Sequence, residues 1–131
     1  MSEPKTFAVR VYYEDTDFSG NVYHANYLKY CERARSDYLR VKGVDQTAMF
    51  ARGEAFVVRQ MICDFLRPAK FEDVLEVETH LVEMSGARFE LEQAVKRGEE
   101  VLFSAAVTVA IVDRMGRPKR ISAELAETLK R

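Results

Sequence analysis

The fold and the chemistry of this chain both centre on residues 10–35, which read RVYYEDTDFSGNVYHANYLKYCERAR. A short apolar run at 7–13 leads into an acidic turn at 14–17, and Gly20 and His24 follow it. A long helical pattern then begins. The first N–H groups of a helix carry partial positive charge, so they can hold a developing oxyanion beside an acid or a base. The same residues also suit a purely structural turn, because aspartate is common in turns and helix caps.

The residues after this turn follow the period of an α-helix. Apolar side chains within 26–42 recur at steps of four, three, four and three residues, which places them on one helix face. They are Tyr27, Cys31, Ala34, Tyr38 and Val41. Gly43 follows as a stop signal, and at ~1.5 Å per residue the helix is about 25 Å long.

Beyond Gly53 the chain alternates with the two-residue period of β-strands. Five strands are predicted in all, at 7–13, 55–66, 74–84, 87–95 and 101–112. Two short helices are also predicted, one at 44–52 with Asp45 as its cap and one from Ser122 to about Leu129. Short connections favour antiparallel neighbours. The pattern therefore predicts an α+β fold, in which one antiparallel sheet of about five strands packs on one long helix.

The composition narrows the class of protein. The 131 residues fit a single domain over 1–131, and 47% hydrophobic with 31% charged residues predicts a packed core under a charged surface. Lysine and arginine number 20 against 21 for aspartate and glutamate, a net charge of −1. This balance gives no electrostatic reason to expect nucleic acid or a membrane surface as a partner.

Cysteine usage and hydropathy indicate the compartment. Cys31 and Cys63 lack metal-ligand spacing, so we expect reduced, buried thiols and neither a metal nor a cofactor. The N-terminal MSEPKTF is polar and does not suggest a signal peptide. Apolar runs stay well below the ~20 residues of a membrane span. We therefore expect a cytoplasmic protein without an integral membrane segment.

The strand at 55–66 carries apolar side chains on both faces. We expect one face to hold Phe56, Val58, Ile62 and Leu66, and the other to hold Val57, Met61, Cys63 and Phe65. Such two-sided apolar content in a small domain suggests that a second subunit covers the sheet. A homo-oligomer is the expectation.

A more specific pattern lies inside the first stretch. It consists of Thr16-Asp17, Gly20, Val22-Tyr23-His24, Tyr27 and the run Tyr30-x-Glu32-x-Ala34-Arg35. This pattern resembles the signature of the 4-hydroxybenzoyl-CoA thioesterase group of hotdog-fold proteins. Residues 55–59, Pro68-Ala69 and Asp73 extend the similarity, towards the bacterial acyl-CoA thioesterases associated with the Tol–Pal system. One departure is Asn21, where the family usually has valine or isoleucine.

The resemblance implies a fold, an assembly and an activity. In hotdog proteins a curved antiparallel sheet wraps around one long central helix, and a short C-terminal helix is expected here as well. Similar proteins dimerise through their sheets, often as dimers of dimers, and bind thioesters at the dimer interface. The implied reaction is hydrolysis of an acyl-CoA thioester to a free acid and coenzyme A.

The resemblance also implies catalytic roles. Asp17 would act as a general base on water or as a nucleophile that forms a mixed anhydride, and both routes stay open. The backbone N–H of His24 would donate to the oxyanion, and Gly20 would let the backbone approach the thioester. The His24 side chain either orients the carbonyl group or the water, or it only packs and hydrogen-bonds.

Substrate binding is expected from aromatic and basic residues. Tyr13, Val22 and Tyr23 are candidates for lining the pocket, although a tyrosine at such positions is more often part of a core. Arginine suits phosphate through bidentate geometry. The candidates for the phosphates of coenzyme A are Arg67, Arg88, Lys70, Arg117, Lys119 and Arg120, and the alternative for each is an ordinary solvated surface residue.

Hydrolysis has two alternatives. A non-catalytic module that binds acyl-CoA or acyl carrier protein would hold the thioester without turnover. A hotdog dehydratase or hydratase needs a differently placed histidine and acid. The sequence has neither a G-x-S-x-G elbow nor an H-E-x-x-H motif, which argues against α/β-hydrolase esterases and zinc hydrolases. The acyl group, aromatic or aliphatic, and its carrier stay open.

Overall fold

A computed structural model of the protein describes residues 4–131. Strand β1 spans Lys5–Arg10, a 3-10 turn spans Tyr13–Asp15, and helix α1 spans His24–Lys42. Helix α2 at Gln46–Ala51 precedes the four long strands, which are β2 at Ala55–Phe65, β3 at Val74–Ser85, β4 at Arg88–Arg97 and β5 at Glu100–Val112. Helix α3 follows at Ala123–Lys130.

The five strands form one sheet in the order β1-β3-β4-β5-β2. Every neighbouring pair is antiparallel, as the short connections predict. Strands β1 and β2 are the two edges of the sheet. The α+β class, the five-stranded antiparallel sheet, the long helix and the short C-terminal helix are therefore confirmed, and together they match the hotdog arrangement.

The core lies between α1 and one face of the sheet. The predicted helix face is confirmed at Tyr27, Cys31, Ala34 and Tyr38, which are all buried. The prediction is wrong at Val41, which is 63% exposed. Buried strand residues complete the core, among them Leu75, Val77, Leu81, Phe89, Leu91, Val95, Phe103, Val107 and Val109.

A buried polar network fastens α1 to the sheet. The side-chain amide of Gln93 on β4 donates to the carbonyl oxygen of Cys31 at 3.0 Å and to the hydroxyl of Thr79 at 2.9 Å. The guanidinium of Arg35 donates to the Gln93 amide oxygen at 2.9 Å. These bonds join α1, β3 and β4, so they set where the helix lies on the sheet.

The capping and terminating residues predicted for the helix ends are confirmed. The Asp45 carboxylate accepts from the backbone N–H of Ala48 at 3.0 Å and caps α2. The Ser122 hydroxyl accepts from Leu125 N–H at 3.1 Å and caps α3. Gly43 ends α1 with φ 98°, a backbone conformation that glycine adopts readily.

The first predicted strand is wrong at its C-terminal end, because β1 stops at Arg10 and not at Tyr13. The Asp15 carboxylate accepts from the backbone N–H of Tyr12 at 2.8 Å and bends the chain into the 3-10 turn. Val11 is bonded instead to the β2–β3 connection, with its N–H donating to the Asp73 carbonyl oxygen at 2.9 Å.

The predicted faces of β2 are also wrong. The pairing of β2 with β5 shifts between Val58 and Gln60, so Arg59 is an extra residue that forms a β-bulge. A bulge reverses the alternation of side chains beyond it. Phe56 therefore shares the core-facing side with Met61 and Cys63 and not with Ile62, which lies on the outer face and is 61% exposed.

Candidate functional site

A cleft with a volume of about 300 Å³ opens where the C-terminal end of β2 meets the start of α1. It is called the Asp17 cleft below and is lined by Asp17, Ser19, Asn21, Val22, His24, Tyr27, Phe65, Leu66, Arg67 and Pro68. A larger cavity, of about 500 Å³, lies between α2 and α3 and includes only Arg120 of the predicted site residues. The smaller cleft is the better candidate, because it combines a carboxylate, a histidine and a helix start.

The loop that carries Asp17 is a tight turn. The backbone N–H of Gly20 donates to the Asp17 carbonyl oxygen at 3.0 Å, and the Asp17 N–H donates to the Asn21 carbonyl oxygen at 2.9 Å. Gly20 has φ 81°, and beyond its two chain neighbours a Cβ there would meet no described atom within 4 Å. Glycine is therefore favoured by the left-handed backbone and not by crowding from the rest of the described chain.

The Asp17 carboxylate is exposed and held in place by Ser19. One carboxylate oxygen accepts from the Ser19 hydroxyl at 2.5 Å and from the Ser19 backbone N–H at 2.8 Å. These bonds, that of the hydroxyl first, lower the pKa of Asp17 below its ordinary 3.8. At neutral pH the side chain is thus an ionised carboxylate at the cleft, able to accept a proton or to attack a carbonyl carbon.

His24 is the first residue of α1 and lines the same cleft. Within residues 4–131 no side chain caps the start of this helix, so its first N–H groups keep donor capacity. The His24 ring lies 4.6 Å from the Tyr23 ring and meets the edge of the Phe65 ring at 6.1 Å. The structure thus brings a carboxylate and a helix N-terminus together at one cleft, as the sequence predicts.

The two tyrosines proposed for the pocket are not core residues. Tyr23 is exposed beside His24, and Tyr13 is 82% exposed and contacts Phe71 outside the cleft lining. Val22 is buried and lines the cleft.

Tyr27 is a cleft residue to which the sequence reasoning assigned no role. Its hydroxyl accepts from the backbone N–H of Ala69 at 3.0 Å, and its ring stacks on Phe103 at 5.1 Å. Tyr27 therefore ties α1 to the 66–73 turn, which forms the opposite wall. The only sequence feature that pointed to a site role for Tyr27 was its place in the signature pattern.

The 66–73 turn is clamped by charged residues that the sequence reasoning also missed. The Arg97 guanidinium donates to the carboxylates of Asp73 at 2.7 Å and Glu100 at 2.8 Å, and these bonds raise its pKa. On the other side, the Val22 N–H donates to the Ala69 carbonyl oxygen at 2.8 Å. Only Asp73 stood out in the sequence, since Arg97 lies 24 residues away from it along the chain.

The proposed phosphate-binding cations are distributed unevenly. Arg67 lies on the cleft and forms an ion pair with Glu100 at 3.4 Å, and Lys70 lies in the adjoining turn. Arg88 begins β4 and stands opposite Ala110, far along the sheet from Phe65. The other three cations follow β5, next to the Ala55 end of β2. They are Arg117, Lys119 and Arg120. The opposite end of β2, at the cleft, is about 33 Å away at ~3.3 Å per residue.

The cysteines stand outside the cleft lining. Both are free thiols; Cys31 is buried as expected, while Cys63 is only half-buried. Burial raises the pKa of Cys31 to about 12, so this thiol stays protonated and is a poor nucleophile.

In the part of the chain that the structure describes, no group of three or more histidine, cysteine, aspartate or glutamate residues could hold a metal ion. None of the helices within 4–131 is long and apolar enough to cross a membrane.

Comparison with known proteins supports one family. A family model described as the thioesterase-like superfamily matches residues 11–129. The acyl-CoA thioesterase YbgC of Haemophilus influenzae is 44% identical over 118 residues, which cover 89% of this chain and 86% of the relative. The acyl-CoA thioester hydrolase YbgC of Escherichia coli O6:H1 is 41% identical over 125 residues, covering 91% and 93%.

A solved structure agrees with these relatives. The crystal structure of a probable thioesterase from Bartonella henselae superimposes with a TM-score of 0.86 and 42% identity, covering 91% of this chain and 99% of that chain. The resemblance drawn from residues 10–35 is thereby confirmed at the level of the family. The chain belongs to the thioesterase-like superfamily of hotdog proteins.

Proposed function

We propose that this protein is a thioester hydrolase that converts an acyl-CoA to a free acid and coenzyme A, with Asp17 as the catalytic carboxylate. The observation that carries the proposal is the ionised Asp17 carboxylate at the same cleft as the uncapped start of α1. Membership of a superfamily with acyl-CoA thioesterases at 44% and 41% identity supports the reaction class.

The cleft offers the parts that the reaction needs. In the base route, Asp17 removes a proton from water, the oxygen adds to the carbonyl carbon, and N–H groups near His24 stabilise the oxyanion. The C–S bond then breaks, and the thiolate of coenzyme A leaves and takes up a proton. In the nucleophile route, Asp17 attacks the carbonyl carbon, the thiolate leaves, and water hydrolyses the resulting anhydride.

The walls of the cleft fit a long, partly apolar substrate. Tyr27, Phe65 and Leu66 supply apolar contact for the acyl group or the pantetheine arm. Val22 and Tyr23 stay candidates for the same contact. Arg67, which lines the same cleft, stays the candidate for contact with a phosphate group of coenzyme A.

We further propose that the whole chain, 1–131, acts as one domain within a homodimer or a dimer of dimers in the cytoplasm. Within residues 4–131, strand β2 is a long edge of the sheet and carries the exposed side chains of Val57, Ile62 and Phe65. A two-fold partner can pair its own β2 with this edge in the antiparallel sense. That pairing places the partner's Ala55 end beside the cleft, and with it the cations at 117–120.

A thiol-release assay with a panel of acyl-CoAs tests the proposal. The panel pairs short and long aliphatic chains with aromatic acyl groups, because the acyl class is open, and includes acyl carrier protein thioesters. We expect turnover of at least one member. Binding of acyl-CoA without release of thiol from any member would instead indicate a non-catalytic binding module.

One further measurement can establish the nucleophile route. A single turnover in ¹⁸O-labelled water leaves label in the Asp17 carboxylate only if an anhydride forms there and water attacks its Asp17 carbonyl carbon. Label found only in the acid product is expected both from the base route and from attack of water on the acyl carbon of an anhydride.

A further inference from the structure

Two exposed aromatic side chains meet just outside the Asp17 cleft. Tyr13 is 82% exposed and Phe71 is 51% exposed, yet their rings contact each other with centroids 6.4 Å apart and planes at 79°. Tyr13 begins the 3-10 turn, and Phe71 lies in the β2–β3 connection. The chain therefore presents an aromatic surface to solvent at a place where neither ring contributes to the core.

This aromatic surface adjoins the cleft through continuous backbone. The 3-10 turn runs directly into the Asp17 loop, and Phe71 follows Pro68 of the cleft wall by three residues. An isolated bridge between Asn21 and Lys70 joins the Asp17 loop to the turn that carries Phe71. The two rings therefore stand on segments that continue directly into the two walls of the cleft.

The backbone beside Phe71 is strained and firmly held. Glu72 has φ 73°, a left-handed conformation that a side chain disfavours. Its N–H donates to the Val11 carbonyl oxygen at 3.0 Å, and the clamp between Arg97 and Asp73 fixes the next residue. Strain that the surroundings maintain clusters at ligand sites and points here to a surface built for contact.

Charged residues of both signs lie near the two rings in the sequence, and the basic ones are on the cleft side. Arg67 and Lys70 precede Phe71 on the cleft side, while Glu14 and Glu72 flank the rings, and Asp73 is neutralised by Arg97. A wholly anionic ligand would be repelled by the two glutamates. A ligand with a neutral aromatic group over the rings and phosphates nearer the cleft fits this distribution.

We propose that Tyr13 and Phe71 form a shelf on which the adenine base of coenzyme A stacks, with its diphosphate directed towards Arg67 and Lys70. The inference rests on the proposed function, because it assigns the nucleotide end of the substrate whose thioester lies in the Asp17 cleft. A cleft of about 300 Å³ is at the small end for drug-sized ligands, so acyl-CoA must extend beyond it. Adenine presents a neutral π-face, which stacks well on aromatic side chains.

Direct binding of the nucleotide tests the shelf without any turnover. Calorimetric titration with 3′-phosphoadenosine 5′-diphosphate, the nucleotide portion of coenzyme A, compares the parent with Phe71→Ala. We expect binding about tenfold weaker in the variant, and parental binding in Phe71→Trp, which keeps an aromatic face. Phe50→Ala is the matched control, since Phe50 is 73% exposed but lies on α2. Equal affinities of parent and Phe71→Ala, or no binding by either, would refute the shelf.

Kinetics with two substrates, one with and one without the nucleotide portion of coenzyme A, give a second readout. Phe71→Ala should lower the ratio of kcat/KM for acyl-CoA to kcat/KM for the matching acyl-pantetheine about tenfold. Equal losses on the two substrates would place Phe71 at the reacting end and overturn the inference. A change in the elution volume of the variant would do the same, because it would mark the rings as a contact between copies.

The failures of the two proposals are distinguishable. If the parent hydrolyses neither thioester, the proposed function fails, while the nucleotide titration still decides the shelf. If the parent hydrolyses acyl-CoA and acyl-pantetheine with the same kcat/KM, the proposed function is supported and the shelf is refuted.

Discussion

Asp17 is an exposed carboxylate whose pKa is lowered by hydrogen bonds from Ser19 in the same turn. The hydroxyl and the backbone N–H of Ser19 both donate to one of its oxygens, which favours the ionised form. An exposed aspartate is ordinarily unremarkable, so its significance comes from its neighbours. It lies at a cleft together with His24 and the start of α1.

Replacing Asp17 by asparagine should leave the fold intact and lower kcat by roughly 10²–10⁴-fold, the usual contribution of a positioned acid or base. Asparagine keeps the shape of the side chain but removes the charge. Thiol release from the best acyl-CoA measures the effect, with Asp37→Asn on α1 as the control. Parental activity in Asp17→Asn would mean that another group carries the chemistry.

Removing the Ser19 hydroxyl should move the acid limb of the pH profile. Because the ionised carboxylate is the active form, kcat/KM falls as the pH drops through the pKa of Asp17. The Ser19 hydroxyl is the largest cause that lowers this pKa, so Ser19→Ala raises it and shifts the acid limb to higher pH. Ser36→Ala, which removes a hydroxyl bonded to Glu32, is the control. An unmoved limb would assign it to a different group.

Helix α1 and the sheet are joined by polar as well as apolar contacts. Gln93 donates to Cys31 and Thr79 and accepts from Arg35, so one side chain serves three partners inside the core. Buried polar groups that lose their partners are destabilising. The position of α1 on the sheet, and hence of the cleft at its start, depends on this network.

Substitution of Gln93 by leucine should destabilise the fold by about 2–3 kcal/mol, since it leaves buried partners unsatisfied. Equilibrium urea unfolding of the two proteins measures the difference. Gln46→Leu, at the exposed start of α2, should change stability by only about 0.5 kcal/mol. If both variants unfold at the same urea concentration, the network does not fasten the helix.

In the described chain, strand β2 forms one edge of the sheet, and exposed side chains lie on the outer face beside it. Strand β2 is eleven residues long, it ends at the cleft, and its Ile62 side chain is largely exposed. Edges of this kind invite pairing with another chain. A two-fold pairing of β2 would enclose the cleft between two copies, so assembly and activity should be linked.

A charge at Ile62 should therefore weaken self-association. We expect sedimentation velocity to show a dimer or tetramer for the parent and mainly monomer for Ile62→Asp, with thiol release falling in parallel. Val41→Asp is the control, because Val41 is equally exposed but lies on α1. If Ile62→Asp keeps the assembly state of the parent, self-association does not use the β2 edge.

Features that depend on neighbours along the chain could be predicted from the amino-acid sequence alone. The period of the apolar residues located α1, and the capping chemistry of Asp45 and Ser122 located the starts of α2 and α3, because a helix and its caps are built from residues within four positions. The pattern from Thr16 to Arg35 likewise indicated the family. That Asp17 acts on a thioester stays a prediction.

The contacts that join distant segments could be seen only in the folded chain. The sheet order β1-β3-β4-β5-β2, the bulge at Arg59 that reverses the faces of β2, and the clamp of Arg97 on Asp73 all arise from contacts across the sheet. The aromatic pair of Tyr13 and Phe71 is separated by 58 residues and has no local signature. Local periodicity cannot encode such pairings, because their free energy comes from packing and hydrogen bonds that exist only once the chain has folded.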